Sequence, residues 1–530
     1  MSSTTASQPL AEYTRYSPLR RIAVAAGILL GLLMFGLDMT IVNVAIPSMM
    51  GNLGVTIDQV NWVATGYMLA MVIVLPLTGW LEARCGRRRL LVSAVVLFTG
   101  SSLLCGLAHS LGVLVFFRIL QGIGGAPLMA TGLATLLDVF PPEQAGTASA
   151  VLGIGVMVGP AVGPIIGGWL VDNYAWPWVF FINLPAGVLA TIALFMAMKK
   201  PRAEHLTKRP LDVVGLLELI LGLSCLQVLL ENGEREGWMD STPMCWLLAL
   251  TIGALLLFVY RSLTTADPLV NLRVFKYRQL AAGSLFNFAV GTGLFGTLFL
   301  LPVFLQNLRQ YTALQSGVIM LPWAIASAIF MGVAAGLVVR CSPRLLIAVG
   351  ILCCVTGMVR LSRVTYLSGP EHLFWPQVLI GGGIGLQMVP LITASLSGIT
   401  GLELGDASGL FNMLRQLGGS IGIALLSTLI DKRIVFHHAI LAENVNVYNT
   451  ETLTRFTMLQ QLFLSKGAAL ADATRQALTV LDQTITSQAV LLAYEDVFLI
   501  IALTFALTLP LILLFRETKS GEAPVNMPMP

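Results

Sequence analysis

The feature that most constrains this chain is a succession of long apolar runs. A helix needs ~20 mostly apolar residues to cross the hydrocarbon of a bilayer. Fourteen runs reach that length, roughly 22–47, 58–81, 89–108, 111–137, 146–171, 178–198, 211–231, 243–263, 280–305, 314–338, 343–365, 373–398, 406–431 and 489–515. Backbone inside lipid has to satisfy its own hydrogen bonds, so each run is expected to be helical. Only 11% of the 530 residues are charged and 56% are apolar, about half the charged share of a soluble domain. The fold class that follows is an all-α polytopic membrane protein with fourteen transmembrane helices. The seven cysteines lie mostly in the apolar runs without metal-ligand spacing and read as small hydrophobes. The first apolar run is not interrupted by a small-residue cleavage site, so it is expected to stay as a helix.

Basic residues orient such a chain, because Lys and Arg collect on the cytoplasmic side. With a cytoplasmic N-terminus, 20 of the 31 Lys and Arg fall inside, among them Arg84, Arg87, Arg88, Arg89 and the run KKPRAEHLTKR at 199–209. Both termini are then cytoplasmic. The net charge of +4 is small and unevenly placed, which argues for orientation and against nucleic acid as a partner. A weak echo links RCGRRRLLV (84–92) with RCSPRLLI (340–347), each a short basic turn before an apolar span. Two six-helix bundles with two helices inserted between them would produce it, a plan common among secondary transporters. The divisions expected are a tail 1–21, a bundle 22–198, a basic linker with the inserted helices 199–279, a bundle 280–515 and a tail 516–530. An external loop, 432–488, interrupts the second bundle. In that loop Leu470, Ala473, Ala477, Leu481 and Ile485 recur every three to four residues, as on an amphipathic helix leading into the last span. Its apolar stripe either folds back on the protein's own rim or docks a partner.

The fifth run contains a ladder, with Gly155, Gly159, Gly163 and Gly167 four residues apart and Pro160 and Pro164 one place on. On a helix these stay on one slowly drifting face nearly free of side chains, so another backbone can approach closely. Either the ladder is tight packing or it is the seam at which two moving bundles seal; the second is the expectation.

Charged residues inside spans are rare and default to functional candidates. Asp38 in the first span lies ~13 Å below its outer end, and Arg118 in the fourth lies ~10 Å below its own. Opposite charges therefore fall at similar depth in one bundle. A buried carboxylate beside a cation changes protonation as its surroundings open and close, which is what a proton carrier does. The alternative is a static ion pair. Arg415 is a second buried cation, with Asn412 and Gln416 on nearby faces; it either lines a cavity or links to a helix-end carbonyl. Glu218 is a buried acid without an evident partner. Trp62, Tyr67, Phe295 and Phe299 are candidate cavity aromatics.

Enzymatic motifs are excluded on physical grounds. No Gly-Lys pair exists for a phosphate-binding loop, and the G-x-S-x-G string at 418–422 lies within a span, not a strand-to-helix turn. No metal site is expected, and no cofactor beyond the proton gradient as energy source.

Several runs taken together resemble the major facilitator superfamily, and within it the fourteen-helix drug:proton antiporters of the EmrB/QacA type. LDMTIVNVAIP (37–47) looks like that family's first-helix signature, with Asp38 at its acidic position. GWLEARCGRRRLL (79–91), with Gly79, Glu82, Arg84, Gly86, Arg87 and Arg88, is similar to the inner-gate loop motif after the second helix. There the usual Asp is replaced by Ala83, with Glu82 one position earlier. LVFFRILQGIGGA (114–126) resembles the fourth-helix motif, in which Arg118 is implicated in proton coupling. The glycine ladder matches the helix associated with antiporters, and WPWVFFINLPAG (176–187) and SGLFNMLRQLGGSIG (408–422) are further family-like runs. The external loop resembles the EmrB branch in HHAILAENVNVYN (437–449) and QAVLLAYEDVF (488–498). The resemblance implies a major facilitator fold in a bacterial inner membrane and proton-coupled efflux of hydrophobic or amphiphilic compounds. It also implies a periplasmic adaptor and an outer-membrane channel engaged through 432–488. A dedicated exporter of fatty acids or lipid-like metabolites is the main alternative, and a non-transporting membrane scaffold or sensor a third.

Overall fold

A computed structural model describes residues 16–514 except 142–143, 200–210, 234, 339, 366–367, 400–401 and 447. The far ends of both expected tails and nearly all of the basic run at 199–209 lie outside the described residues. Every element among the described residues is helical. In order they are α1 (Pro18–Leu53), α2 (Ile57–Val74), α3 (Thr78–Cys85), α4 (Arg87–Gly106), α5 (Leu111–Val139), α6 (Ala145–Asn173), α7 (Trp178–Phe181) and α8 (Asn183–Ala197). Then follow α9 (Val213–Asn232), α10 (Thr242–Thr264), α11 (Arg278–Val303), α12 (Ala313–Leu337), α13 (Pro343–Leu361), α14 (Pro370–Leu396), α15 (Leu402–Glu443), α16 (Thr450–Ser465) and α17 (Leu470–Ala506). Among the described residues thirteen helical stretches are long and apolar enough to cross a membrane, and α6 occupies the place of the fifth expected span.

The expected fold class holds. In the first bundle α1 packs on α6 and α8, and α5 on α2 and α4. In the second, α11 packs on α15, α14 on α12 and α13, and α17 on α13 and α15. The inserted helices α9 and α10 pair with each other. The bundles meet along α6 with α12, and along α15 with α3 and α5.

The glycine ladder is not at that seam, contrary to expectation. It packs α6 onto α1 inside the first bundle. A Cβ on Gly159 would lie 2.7 Å from the backbone of Gly36, and one on Gly167 would lie 2.8 Å from the Ile41 side chain. Gly155 meets Leu32 and Gly163 meets Thr40 in the same way. Other residues of α6 face the second bundle: Gly153 lies against Met331, and Ile165 against Gly317 of α12. A four-residue repeat specifies that a face is smooth; it does not specify which neighbour the face meets.

The two prolines do not break α6, which runs unbroken over 29 residues. Pro164 has no amide to give the carbonyl of Pro160, four residues earlier. The Thr40 hydroxyl of α1 donates to that carbonyl instead, at 3.0 Å. The ladder thus sets α1 against α6 two residues from Asp38.

The segment 432–488, expected as a loop with a helix leading into the last span, has that helix and is helical over most of the rest of its length as well. α15 continues twelve residues past its expected end to Glu443, α16 follows, and α17 begins at Leu470 and runs without interruption into the last span. The stripe expected on 470–485 is partly covered from within. Ala473 and Ala477 are fully buried, α16 packs on α17, and Gln460 of α16 donates to Thr474 of α17 at 2.8 Å.

Candidate functional site

Asp38 of α1 and Arg118 of α5 are 0% and 1% exposed, and they form an ion pair. Lipid-embedded helices of mostly apolar sequence can carry such charges only if these neutralise one another. The rest of the shell satisfies what the pair leaves over. Gln121, one turn after Arg118, donates from Nε2 to Asp38 Oδ1 at 2.9 Å and accepts from Arg118 Nη1 at 2.9 Å. Asn183 of α8 reaches Asp38 Oδ1 at 3.4 Å and donates to Ser102 Oγ at 3.1 Å. Arg118 Nε donates to the Val63 carbonyl of α2 at 2.9 Å. The Tyr67 ring lies 4.2 Å from the guanidinium, and Phe180 lies 5.7 Å from it on α7. Asp38 therefore holds helices α1, α5 and α8 at one point. Protonating it would remove the charge that Arg118, Gln121 and Asn183 all face.

Sequence reasoning found the pair because charges in spans are rare and their depths could be counted. It missed Gln121 and Asn183, whose only signal is a buried amide in an apolar helix; Gln121 also sits at the helical spacing of three from Arg118. Tyr67 does not line an open cavity but covers the pair, and it is 1% exposed. Phe295, 9% exposed, lies against Gly419 within the second bundle, while Trp62 and Phe299 are exposed. The four aromatics are thus divided among different surroundings.

A second charged cluster lies where α3 and α4 meet α5 and the first turn of α15. α3 stops at Gly86, whose φ of 80° suits glycine, and the turn carries Arg87 back over α3. Arg87 donates from Nε to Glu82 at 2.7 Å, pairs with it through Nη2 at 2.6 Å, and also pairs with Asp138 of α5. Ala83, where the family usually has Asp, is fully buried, and Glu82 beside it supplies the carboxylate. The first turn of α15 comes from the other bundle to this point. A Cβ on Gly405 would lie 3.1 Å from Glu82 Oε2, and the Asp406 carboxylate fills the space at Gly79. The positive end of the helix dipole faces a carboxylate there. Arg84 lies over Trp80 at 5.3 Å, and Arg88 donates to the Phe195 carbonyl at 2.7 Å. Asp138 and Asp406, at helix ends in the sequence, carried no signal of this meeting.

Higher along α15 the expected trio comes together at the seam. Arg415 Nη2 is 3.4 Å from Asn412 Oδ1 and 3.6 Å from Met129 Sδ of α5. Gln416 Nε2 is 3.5 Å from Met68 Sδ of α2. Glu218 is elsewhere, half-buried on α9 within Coulombic reach of Arg261 on α10. A neighbouring acid on the same helix, Glu231, accepts from Thr65 of α2 and ties the inserted pair to the first bundle.

Two facing helical bundles of membrane-spanning length, the first enclosing a buried ion pair, are the architecture of a polytopic transporter. The Major Facilitator Superfamily model matches residues 28–423. The multidrug export protein EmrB of Haemophilus influenzae is 33% identical over 490 residues, 92% of this chain and 93% of the relative. EmrB of Escherichia coli K12 is also 33% identical, over 90% and 91%, and the fatty acid resistance protein FarB of Neisseria gonorrhoeae is 32% identical, over 94% and 98%. Among solved structures, the human organic anion transporter MFSD10 superposes with a TM-score of 0.58 at 14% identity, covering 92% of this chain and all of that one. The proton:xylose symporter XylE gives 0.55 at 13% identity over 92% and 95%; both show the fold alone. The chain belongs to the Major Facilitator Superfamily, in the branch of the EmrB multidrug export proteins. It is a transporter rather than an enzyme.

Proposed function

We propose that this chain is a proton-driven exporter of hydrophobic and amphiphilic compounds in a bacterial inner membrane, with both termini cytoplasmic. The observation that carries the reading is the buried Asp38–Arg118 pair in a chain whose relatives are named for multidrug export and fatty acid resistance. Ionised Asp38 binds Arg118, Gln121 and Asn183 and holds α1, α5 and α8 together. A proton arriving from outside neutralises it, weakens those contacts and lets the first bundle change its packing. Release of that proton on the inner side restores the pair. Substrate and proton exchange because each favours a different arrangement of the bundles. The proton gradient is the only energy source required. Substrate-induced proton release from vesicles tests the reading: Asp38→Asn abolishes it, and full retained coupling would overturn the assignment.

The outer ends of α15 and α17 with α16 form the surface at which a periplasmic adaptor, and through it an outer-membrane channel, would engage. Val435, Tyr448, Met458 and Leu470 are 72%, 93%, 66% and 63% exposed there, apolar side chains available to such a partner. Replacing 444–469 by a short linker should leave drug-stimulated proton flux intact and remove resistance in cells.

A further inference from the structure

Among the described residues two arginines, Arg118 and Arg415, are buried at the heart of the bundles, and one of the two has a carboxylate partner there. Arg118 has a carboxylate, an amide, a carbonyl and an aromatic face. Arg415, 2% exposed on α15, has the Asn412 amide oxygen at 3.4 Å and the Met129 sulfur at 3.6 Å. Its Nε is buried without an acceptor, and no ion pair joins it to a carboxylate among the described residues. A guanidinium presents five donors and stays charged. Leaving that charge unpaired in a low-dielectric interior is among the most unfavourable arrangements a protein can hold. It persists where an anion that is not part of the chain completes it.

The surroundings say what kind of anion. Arg415, Asn412 and Gln416 come from the second bundle, and the wall they face is formed by Met129 and Met68 of the first. Gln416 Nε2 has only the weak Met68 sulfur as its acceptor, a donor that a carboxylate can take. Thioether side chains are flexible and polarisable and accommodate apolar bodies of differing shape. A planar fork of donors against a methionine wall suits a molecule with a carboxylate at one end and a lipophilic body behind it. Such a molecule would touch both bundles at once, so its binding would depend on how they are arranged. We propose that Arg415 is the headgroup anchor for carboxylate-bearing lipophiles, with Gln416 and Asn412 as flanking polar contacts and Met68 and Met129 as the wall for the body. This rests on the export reading and names the preferred substrate class within it.

The test uses two ligands with one lipophilic skeleton, an acid and its primary amide. Binding to the purified full-length protein is measured separately from export in vesicles. Wild type should bind the acid about tenfold or more tightly than the amide, the ratio corresponding to one charge-assisted contact. Arg415→Gln should remove that preference, and Arg415→Lys should keep part of it. Equal affinity of wild type for both compounds, or an unchanged preference in Arg415→Gln, overturns the inference. Should Arg415→Gln not reach the membrane, the wild-type comparison still decides, together with Gln416→Leu, which should reduce the acid preference. Binding with the expected preference but no export of either compound would instead overturn the export reading.

Discussion

The hydroxyl of Thr40 donates to the carbonyl of Pro160 at 3.0 Å, filling the hydrogen bond that Pro164 leaves open. A defect in one helix is thereby repaired by the neighbour that carries Asp38. The consequence is specific. Thr40→Val keeps shape and removes the donor, so a buried carbonyl is left unsatisfied at a cost of about 1–3 kcal/mol. Thermal unfolding in detergent should show that loss, and Thr40→Ser should recover most of it.

The ladder makes a position-dependent prediction. On Gly159 even a methyl would meet the Gly36 backbone at 2.7 Å, where neither side can yield. Gly159→Ala should cost about 1–3 kcal/mol, in the range of core overpacking. At Gly168 the nearest atom is 3.7 Å from the same added Cβ, ordinary contact, so Gly168→Ala should be nearly neutral. Melting temperatures of the two variants side by side are the check; equal losses would mean the close approach to α1 does not matter.

Asp38 and Arg118 should behave as one unit. Removing either leaves the other buried and unpaired, at about 3–5 kcal/mol. The double variant Asp38→Asn, Arg118→Gln should lose much less than the sum of the singles. A double-mutant cycle in unfolding free energy measures the difference, and additive losses would show that the pair does not couple.

At the inner end, Glu82 touches both Arg87 and the first turn of α15. Glu82→Gln keeps the shape and removes the charge that faces the N-terminal end of α15, a helix-dipole contact of about 0.3–1 kcal/mol. Separation of the bundles at this point should then become roughly two- to fivefold more populated. Cys85, half-buried beside it, reports this through its alkylation rate once the other cysteines are replaced. Glu82→Asp should label at an intermediate rate.

Much of this was legible before any coordinates. The helices follow from apolar length alone, because lipid leaves the backbone no alternative. The Asp38–Arg118 meeting follows from rarity of charge and equal depth. What escaped was partnership between faces. Periodicity marked the ladder as smooth but placed it at the wrong neighbour, since α1 and α12 both lie alongside α6. The sequence leaves open whether Glu82 takes the place of the usual Asp, because a shift of one residue is ~100° around a straight helix. The turn at Gly86 brings Arg87 back to it. The helical outer segment was half visible: Ala473 and Ala477 showed the period of α17, but 432–443 is too polar to announce itself as a continuation of a span.

α15 is also a mechanical object. Its 42 residues make a rod of ~63 Å. One end touches Glu82 beside Arg87, Arg415 sits about a third of the way along at the seam, and the far end stands in the hairpin with α16. A rod pivoting at its waist moves its two ends in opposite directions. A rigid α15 would carry a shift at Glu82 to the hairpin formed with α16, and a load on that hairpin back to Glu82.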